Sequence, residues 1–218
     1  MTDQLQLFMT LKFGEKMEIK CISLGEIQTN CYLISTEKAA VVIDPGFVSR
    51  KVEEFLIENR DKERIILLTH AHFDHIGGAL SLRNNTGVKI AIGEHENASL
   101  SDKNINLCNL FDADLEPFSA DILLKDSSVF TVGDISFKVI HTPGHTAGAV
   151  SYLIDDVLFS GDTLFHLSVG RTDFPQGDFT VLTNSVKKLY ELDGNIKVLS
   201  GHGEQTTINY EKQFNPYV

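Results

Sequence analysis

The sequence predicts an α/β fold in which β-sheets carry a few amphipathic helices on their outer faces. Runs of aliphatic and β-branched residues recur along the whole chain and are bounded by Gly, Asp and Asn turn signals. A small number of stretches place apolar residues at helical spacing, with charges between them. No Pro-rich hinge or low-complexity segment divides the 218 residues. This length suits one substantial core, so we expect a single domain.

The first half of the chain predicts paired strands followed by alternating strands and helices. Residues 44–46 form an Asp-Pro-Gly turn that ends one strand. After it, Val52, Phe55 and Leu56 recur at helical spacing. The predicted strands are residues 17–24, 30–35, 40–44, 64–69 and 88–92, and the predicted helices are residues 49–59 and 78–84.

The second half is richer in strands. Residues 94–125 are acidic and Asn-rich, and we expect short helices with either a covering loop or a solvated excursion. The doublets Gly133-Asp134 and Asp155-Asp156 are typical of tight hairpin turns. The predicted strands are residues 128–131, 135–141, 149–154, 157–160 and 197–200, and the predicted helix is residues 178–191.

Composition and charge exclude several classes of function. The chain carries 19 Lys and Arg against 30 Asp and Glu, a formal net charge of −11. Nucleic acid and anionic membranes are bound by clustered basic residues, so neither is an expected partner. Residues 1–16 are expected to be an N-terminal extension, and they lack the features of a signal peptide. The three cysteines contain no CxxC pair, which favours reduced thiols and a cytoplasmic location.

The most specific feature is a group of metal-binding residue types directly after the strand predicted at 64–69. His70, His72, Asp74 and His75 fall within six residues. At a strand end that opens into a tight loop, His70 and His72 can reach one ion while Asp74 and His75 turn toward a second. Imidazole and carboxylate are suitable ligands for zinc or iron. A solvated polar loop rarely needs three histidines, so the motif predicts a metal site.

Three further candidate ligands follow predicted strands later in the chain. They are His145, Asp162 and His202, and each lies beside glycine. The backbone can turn sharply at glycine and approach an ion closely. A single His or Asp after a strand is usually a turn residue or a cap. Four strand ends with the same placement together predict one shared site.

This ordered set resembles the metallo-β-lactamase superfamily. The motif THAHFDH at residues 69–75, with the three later ligands, carries the resemblance, and the absence of the lactamase-specific pattern points to the glyoxalase II branch. Residues 168–178 and the ending from Gly201 are similar to the compact hydroxyacylglutathione-hydrolase-like proteins of bacteria. The usual GHGP of that family is GHGE in this chain, so Glu204 is a departure near the predicted metal edge.

The resemblance implies a four-layer αββα sandwich of two mixed β-sheets flanked by helices, with the metals at one edge of both sheets. It also implies two divalent ions, with zinc expected first and iron or manganese as alternatives. We expect residues 17–218 to form the single domain, without the C-terminal helical domain that supplies much of the glutathione site in larger glyoxalase II enzymes. The implied ligands are His70, His72 and His145 for the first ion, Asp74, His75 and His202 for the second, and Asp162 between the two.

The activity implied by the resemblance is hydrolysis of a thioester of the S-acylglutathione type. A hydroxide that bridges the metals and is oriented by Asp74 would attack the carbonyl carbon. A thiolate departs readily because thiol pKa values lie near ~8.5, whereas an amide nitrogen needs a placed proton donor. The sequence shows no clear donor. We therefore expect a small-molecule thioester as substrate, and the oligomeric state stays open.

Three alternatives remain open from the sequence. A persulfide dioxygenase would use a single iron held by His70, His145 and Asp162, a two-histidine, one-carboxylate set with open positions. A lactonase would open a lactone ring without releasing a thiol. A metal-binding module without turnover is the third alternative. A structural zinc site needs only four ligands, however, and all seven ligand positions carry His or Asp here.

Overall fold

The computed structural model describes residues 7–13 and 17–218, which form two β-sheets packed face to face. The N-terminal extension predicted over residues 1–16 therefore lies partly outside the described residues. Within it, strand β1 (Leu7–Phe13) pairs antiparallel with strand β2 (Met17–Leu24) at one edge of the first sheet. This pairing makes part of the predicted extension a component of the sheet.

The first sheet contains seven strands in the order of the chain. Its first four strands are antiparallel, and the last four are joined by parallel pairings. After β1 and β2, its strands are β3 (Thr29–Ser35), β4 (Ala39–Ile43), β5 (Glu63–Leu68), β6 (Lys89–Gly93) and β7 (Ile122–Leu124).

The second sheet contains six strands, and a separate two-stranded hairpin lies outside it. The strands of the sheet are β8 (Val129–Val132), β9 (Ile135–His141), β10 (Val150–Ile154), β11 (Val157–Gly161), β14 (Lys197–Ser200) and β15 (Thr206–Thr207). The hairpin is β12 (Leu164–Phe165) with β13 (Ser168–Val169). The order across the sheet is β15-β14-β11-β10-β9-β8, and all pairs are antiparallel except β11 with β14.

Helices cover the outer face of each sheet. The helices are α1 (Arg50–Glu58), α2 (Phe73–Ile76), α3 (Ala79–Thr86), α4 (Cys108–Phe111), α5 (Phe179–Leu189) and α6 (Ile208–Phe214), with a 3-10 helix at Asn97–Ser101. Val52 and Leu56 of α1 and Leu82 of α3 pack on the first sheet. Val186 of α5 and Ile208 of α6 pack on the second sheet.

The main core fills the space between the two sheets. Ile34, Val41 and Leu67 from the first sheet meet Phe137 and Tyr152 from the second. Strand β4 is buried along its whole length, since a sheet covered on both faces takes a continuous apolar run such as AAVVI. Helix, sheet, sheet and helix thus follow one another in layers, and the predicted four-layer αββα sandwich is confirmed.

The predicted elements agree with the structure to within one or two residues at most ends. Elements β9 and β14 begin and end where the sequence predicts. The helices α2 and α6, the hairpin β12–β13 and strand β15 are not among the predicted elements, because two to seven residues are too few to show a period. Among the described residues, none of the helices combines the length and the apolar character that crossing a membrane requires.

The two sheets approach each other closely at the edge where the predicted ligands lie. The amide of Val150 in the second sheet donates to the carbonyl of Thr69, one residue past β5. Gly161 at the end of β11 has φ +51°, and a Cβ there would lie 2.5 Å from Thr69 Oγ1. The chain needs glycine here because both the conformation and the space exclude a side chain. The carboxyl ends of β5, β11 and β14 consequently open onto one region.

Candidate metal centre

The structure brings all seven predicted ligands together at this edge. His70 and His72 follow β5, Asp74 and His75 lie on α2, and His145 lies in the loop between β9 and β10; Asp162 follows β11 and His202 follows β14. Helix α2 explains the turn of the motif, because one helical turn points Asp74 and His75 away from the extended residues before them. Their role as metal ligands stays a prediction.

The first histidine group is formed by His70, His72 and His145. The ring centroids are 4.8 Å apart for His70 and His72, 4.9 Å for His70 and His145, and 4.6 Å for His72 and His145. The Nε2 atom of His145 lies 2.9 Å from Nδ1 of His72. All three side chains are buried. Three imidazole nitrogens therefore converge on one small volume shielded from solvent.

The second group is formed by Asp74, His75 and His202, with Asp162 between the two groups. Asp74 Oδ2 lies 3.2 Å from His202 Nε2 and 3.5 Å from His75 Nε2. Asp162 Oδ1 lies 3.4 Å from His75 Nε2, while its Oδ2 lies 3.5 Å from His145 Nε2 and 3.6 Å from His202 Nε2. Asp162 is thus the carboxylate that faces members of both groups.

Buried polar atoms at this centre fit a bound metal. The Nε2 atoms of His70, His72 and His75 and the Oδ1 atom of Asp162 are buried without a hydrogen-bond partner among the described residues. Buried polar groups ordinarily have a hydrogen-bond partner, so four such atoms on the predicted ligands need an explanation. Imidazole nitrogen and carboxylate oxygen are ligand atoms for zinc and iron, and a divalent ion would satisfy them.

Hydrogen bonds on the far side of the rings determine which nitrogen faces the centre. Nδ1 of His145 lies 2.7 Å from the carbonyl oxygen of Arg171, which can only accept, so this nitrogen carries the proton. Nδ1 of His70 lies 3.0 Å from the hydroxyl of Thr69, which itself donates to Asp44. In both rings, Nε2 keeps its lone pair for the centre, the arrangement typical of histidine ligands.

Asp44 is a functional residue that the sequence reasoning missed. It follows β4, has φ +49°, and accepts from the amide of Thr69 at 2.8 Å and from its hydroxyl at 2.7 Å. Its Oδ2 also lies 3.0 Å from Nδ1 of His75. A positive φ at a residue other than glycine is strained and persists only where the surroundings hold it. The available signal was its position at the same sheet edge, one strand before the His motif.

Glu96 is the second residue that the sequence reasoning missed. Its side chain is fully buried, with Oε1 accepting from the amide of Ala71 at 3.0 Å and Oε2 from the amide of Gly148 at 2.8 Å. Burial raises the pKa of this carboxyl group. One carboxylate therefore ties the His70–His72 loop to the loop that carries His145. Nothing in the acidic stretch around Glu96 marked it for this position.

Two histidines of the first group, His70 and His72, are held in the neutral state. Burial first, and then the neighbouring imidazoles, keep the pKa of His70 well below its usual value. Burial and the imidazole of His145 lower the pKa of His72 to about 3. Desolvation penalises the charged form, and positive neighbours add to that penalty. Neutral imidazole is the form that binds metal.

The second group has the opposite electrostatics. Burial alone would lower the pKa of His75, but the carboxylates of Asp162, Asp74 and Asp44 outweigh it and raise the pKa well above the usual value. Burial would likewise lower the pKa of His202, but the carboxylate of Asp162 outweighs this effect and raises it. The pKa values of Asp74 and Asp162 are lowered against the effect of burial, chiefly by His75. Opposite charges at these distances favour the charged form of each partner.

The loop that carries His202 is held by strand β3. The side-chain amide of Asn30 donates to the carbonyls of Ser200 and Gly203, both at 3.0 Å, and the hydroxyl of Tyr32 donates to Ser200 at 2.6 Å. Gly201 lies so close to the centre that a Cβ there would overlap Asp162 Oδ1. The second sheet's last ligand is therefore positioned by the first sheet.

Other residues singled out in the sequence lie around the centre. Arg171 and Asp173 form an ion pair, with N–O distances of 2.7 and 2.6 Å. Glu204 is exposed and 3.9 Å from Nδ1 of His166, so the GHGE departure does not enter the ligand group. The three cysteines are free thiols, in agreement with the expectation of reduced cysteines.

Comparison with known proteins finds the same family that the sequence resembles. A family described as the Metallo-beta-lactamase superfamily matches residues 24–202, a range that contains all seven predicted ligands. Hydroxyacylglutathione hydrolase GloC of Haemophilus influenzae is 34% identical over 208 residues, covering 93% of this chain and 98% of that protein.

Two solved structures are also similar. BLEG-1, described as a B3 metallo-beta-lactamase, has a TM-score of 0.83 and 39% identity, covering 91% of this chain and 98% of that one. TTHA1623 in a di-iron-bound form has a TM-score of 0.80 and 31% identity, covering 91% of this chain and 99% of that one. These relatives share the complete sandwich with this chain.

Proposed function

The chain belongs to the metallo-β-lactamase superfamily, and we propose that within it the protein is a metal-dependent hydrolase of thioesters of the S-acylglutathione type. The observation that carries the proposal is the convergence of seven His and Asp side chains, of which four buried nitrogen and oxygen atoms lack a hydrogen bond. Similarity to the Haemophilus influenzae GloC over 93% of this chain supports the choice of thioester. The similar structure that holds iron supports a centre that accepts more than zinc.

We assign His70, His72 and His145 to a first ion, Asp74, His75 and His202 to a second, and Asp162 to both. When bound, two divalent ions would supply a shared water with a pKa lowered toward roughly 7 and a Lewis acid for the substrate carbonyl. Zinc is the first expectation, with iron or manganese as alternatives. Three imidazoles on one side and a carboxylate-rich set on the other suit each of these metals.

The chain's own residues hold this arrangement in place. Asp74 Oδ2 accepts from the hydroxyl of Thr29 at 3.1 Å, which orients the carboxylate. Asp44 orients the ring of His75, and the carbonyl of Arg171 orients the ring of His145. Partners of this kind set the tautomer and direction of each ligand, and removing one typically costs about 10–100-fold in metal affinity or activity.

The surroundings of the centre favour a leaving group that needs no proton. The hydroxyl of Tyr32 donates to the Ser200 carbonyl, and that of Tyr152 donates to the Leu68 carbonyl at 2.7 Å. Both tyrosine protons are thus already engaged. A departing amide nitrogen needs a donor, whereas a thiol with a pKa near ~8.5 leaves as the thiolate. This supports a thioester over an amide substrate.

The first test is release of free thiol from S-lactoylglutathione by protein loaded with zinc or iron, with metal content measured in parallel. His72→Ala should abolish release. His95→Ala is the matched control, because His95 is an exposed histidine outside the ligand group. Release by the wild type and the control but not by His72→Ala would support the proposal. If the wild type releases no more thiol than His72→Ala does, in every metal form, the proposal is refuted.

The same preparations separate the alternatives. Consumption of oxygen with a persulfide by the iron form would replace the thioesterase with a dioxygenase. Ring opening of a lactone without thiol release would indicate a lactonase. Because a similar structure is described as a metallo-beta-lactamase, hydrolysis of a β-lactam is measured alongside. A β-lactam rate above the thioester rate would also overturn the proposal.

A further inference from the structure

A row of three phenylalanine rings leads from the first histidine group to the protein surface. The ring centroid of Phe174 lies 5.9 Å from that of His72, edge to face. Phe111 lies 6.1 Å from Phe174, also edge to face, and stacks on Phe73 at 4.9 Å. We call Phe73, Phe111 and Phe174 the aromatic row. It begins at Phe174 beside a predicted metal ligand, reaches solvent at Phe111, the middle ring, and ends at the buried Phe73.

The aromatic row is held in position although part of it is exposed. The amide of Phe73 donates to the carbonyl of Asn106 at 2.9 Å, and Leu107 and Cys108 pack against the Phe73 ring. These contacts bind α4 to α2, so the segment that carries Phe111 is anchored beside the centre. Residues 94–125 therefore supply a wall of the site rather than a purely solvated excursion.

Phe111 of the aromatic row, with its neighbour Leu110, presents apolar surface to solvent. Phe111 is 46% exposed, and the neighbouring Leu110 is 63% exposed. Contiguous exposed apolar groups next to a concave polar site are typical of a ligand-binding surface. Aromatic rings bind flat apolar groups well because they offer a large rigid surface.

The charge beside the aromatic row is already neutralised. Arg171 lies over the ring of Phe174, 3.9 Å from its centroid, and forms two hydrogen bonds with the carboxylate of Asp173. Since the guanidinium of Arg171 is hydrogen-bonded to Asp173, the Arg171 side chain mainly covers one face of the Phe174 ring. A carboxylate on the substrate would meet Asp173 as well as Arg171. This side of the centre consequently favours an uncharged group.

A separate cavity of about 550 Å³ lies next to the His202 loop. It is lined by polar residues such as Asn30 and Glu204 together with Cys21, Tyr32 and Leu199. None of the seven predicted ligands lines this cavity, so the apolar surface beside His72 is a distinct region.

We propose that the aromatic row is a subsite that binds an apolar, preferably aromatic, group of the thioester substrate. The proposal rests on the proposed hydrolase function. The apolar group can come from either of two sources, the acyl chain or the thiol. Both present the same chemistry to the rings, and the experiment has one arm for each.

The acyl arm compares acetyl and phenylacetyl thioesters of one small thiol, N-acetylcysteamine. The thiol arm compares methyl and benzyl thioacetates. In each arm, kcat/KM is measured for wild type and for Phe111→Ala, and the preference for the larger substrate is calculated. The ratio of wild-type to variant preference removes intrinsic differences in leaving-group reactivity. We expect the variant to lose about tenfold or more of the preference in one arm.

Control variants keep the result interpretable. Phe111→Leu keeps apolar surface without a ring and should lose less preference than Phe111→Ala. Phe214→Ala removes a phenylalanine of α6 that is somewhat more exposed, at 55%, and lies outside the aromatic row, and it should leave the preference unchanged. Because Phe111 is half exposed, Phe111→Ala should fold, which a thermal melt will check.

A binding measurement complements the kinetics. The chain contains no tryptophan, so Phe111→Trp introduces a single fluorescent reporter in the row and Phe214→Trp a control reporter. Benzyl ethyl ketone keeps a carbonyl and a phenyl group without a leaving group, and butanone lacks the phenyl group. The phenyl ketone should quench only Phe111→Trp, at concentrations about tenfold below those that butanone requires.

Each outcome bears on one of the two proposals. Hydrolysis of the small thioesters with unchanged preference in Phe111→Ala, in both arms, would refute the aromatic subsite and leave the hydrolase standing. Absence of thiol release from all four substrates by metal-loaded wild type that hydrolyses S-lactoylglutathione would refute the subsite alone, and absence of release from S-lactoylglutathione as well would refute both. A change in sedimentation of Phe111→Ala without a change in preference would indicate a surface between protein copies, and would also overturn the subsite.

Discussion

The two halves of the candidate centre differ in burial and charge although they share one edge of the sandwich. His70, His72 and His145 are at most 3% exposed, and burial lowers the pKa values of His70 and His72. The side chain of His202 is 24% exposed, and the carboxylates around it raise its pKa. One half is a buried set of rings in which His70 and His72 are neutral, and the other is a network of opposite charges that opens to solvent.

This difference implies that the ion in the first group and the ion in the second group would be bound through different interactions. The neutral imidazoles of His70 and His72 carry no charge that an ion pair already compensates, so a cation that enters adds a new interaction. The second group already has its charges paired, so a cation must replace existing ion pairs. We therefore expect the first group to bind its metal more tightly. The variants below test this comparison, from the largest effect to the smallest.

The largest effect is expected from removing one ligand of each group. His72→Ala should lower thiol release by on the order of a thousandfold, more than the 10–100-fold typical of residues behind the ligands, and should reduce metal content by one ion or more per chain. His202→Ala should lose only the more weakly held ion. Metal analysis after dialysis against a graded chelator measures both. Equal metal loss in the two variants would contradict the comparison.

The second effect concerns the carboxylates behind each group. Glu96→Gln places an amide N–H₂ against the amide of Ala71 or Gly148, and an unpaired buried donor costs about 1–3 kcal/mol. Asp44→Asn weakens the hydrogen bond to His75. We expect each to lower metal affinity about 10–100-fold, Glu96→Gln mainly at the tight site and Asp44→Asn mainly at the weak one. Competition titration with a chromophoric chelator resolves the two sites, and urea unfolding of the metal-free protein measures the stability change.

The third effect tests the close approach at Gly201. A Cβ at this position would overlap Asp162 Oδ1 and come within 2.7 Å of the His75 ring, so Gly201→Ala should displace the carboxylate between the groups. We expect both affinities to fall by about tenfold. Gly87→Ala is the control, because its φ of +72° is strained but a Cβ there has open space. The control should lose stability alone, and metal loss in it would mean that backbone strain rather than displacement is responsible.

The smallest effect is expected at the start of α5. The side chain of Asp178 caps this helix by accepting from the amide of Val181 at 2.9 Å, while its own amide donates to the carbonyl of Gly144 at 2.8 Å. Asp178→Ala removes the cap but not the backbone bond next to His145. Stability should fall by about 1 kcal/mol with the first metal affinity unchanged. A loss of affinity would show that the cap, and not the backbone, holds the loop.

The elements that could be predicted are those whose information is local. Strand β9 is predicted to the residue because apolar and polar side chains alternate from Ile135 to Val139 and Gly133-Asp134 marks the turn before it. The seven candidate ligands could be listed because metal-binding residue types follow strand ends beside glycine. Their common placement at strand ends predicted one shared site, whereas their division into two metal-binding groups could be expected from the resemblance alone, since spacing along the chain does not give the distance between two sheets.

The sequence by itself thus determined the layered α/β class, the strands and helices of ordinary length, and the residue types of the candidate centre. Only the tertiary structure decided which carboxylates lie behind the ligands and which rings stand beside them. Glu96 accepts from Gly148 across 52 positions of the chain, and Phe174 meets Phe111 across a comparable separation. Hydrophobic pattern and turn chemistry act over a few residues, whereas a hydrogen bond or a ring contact depends on where packing places two distant segments.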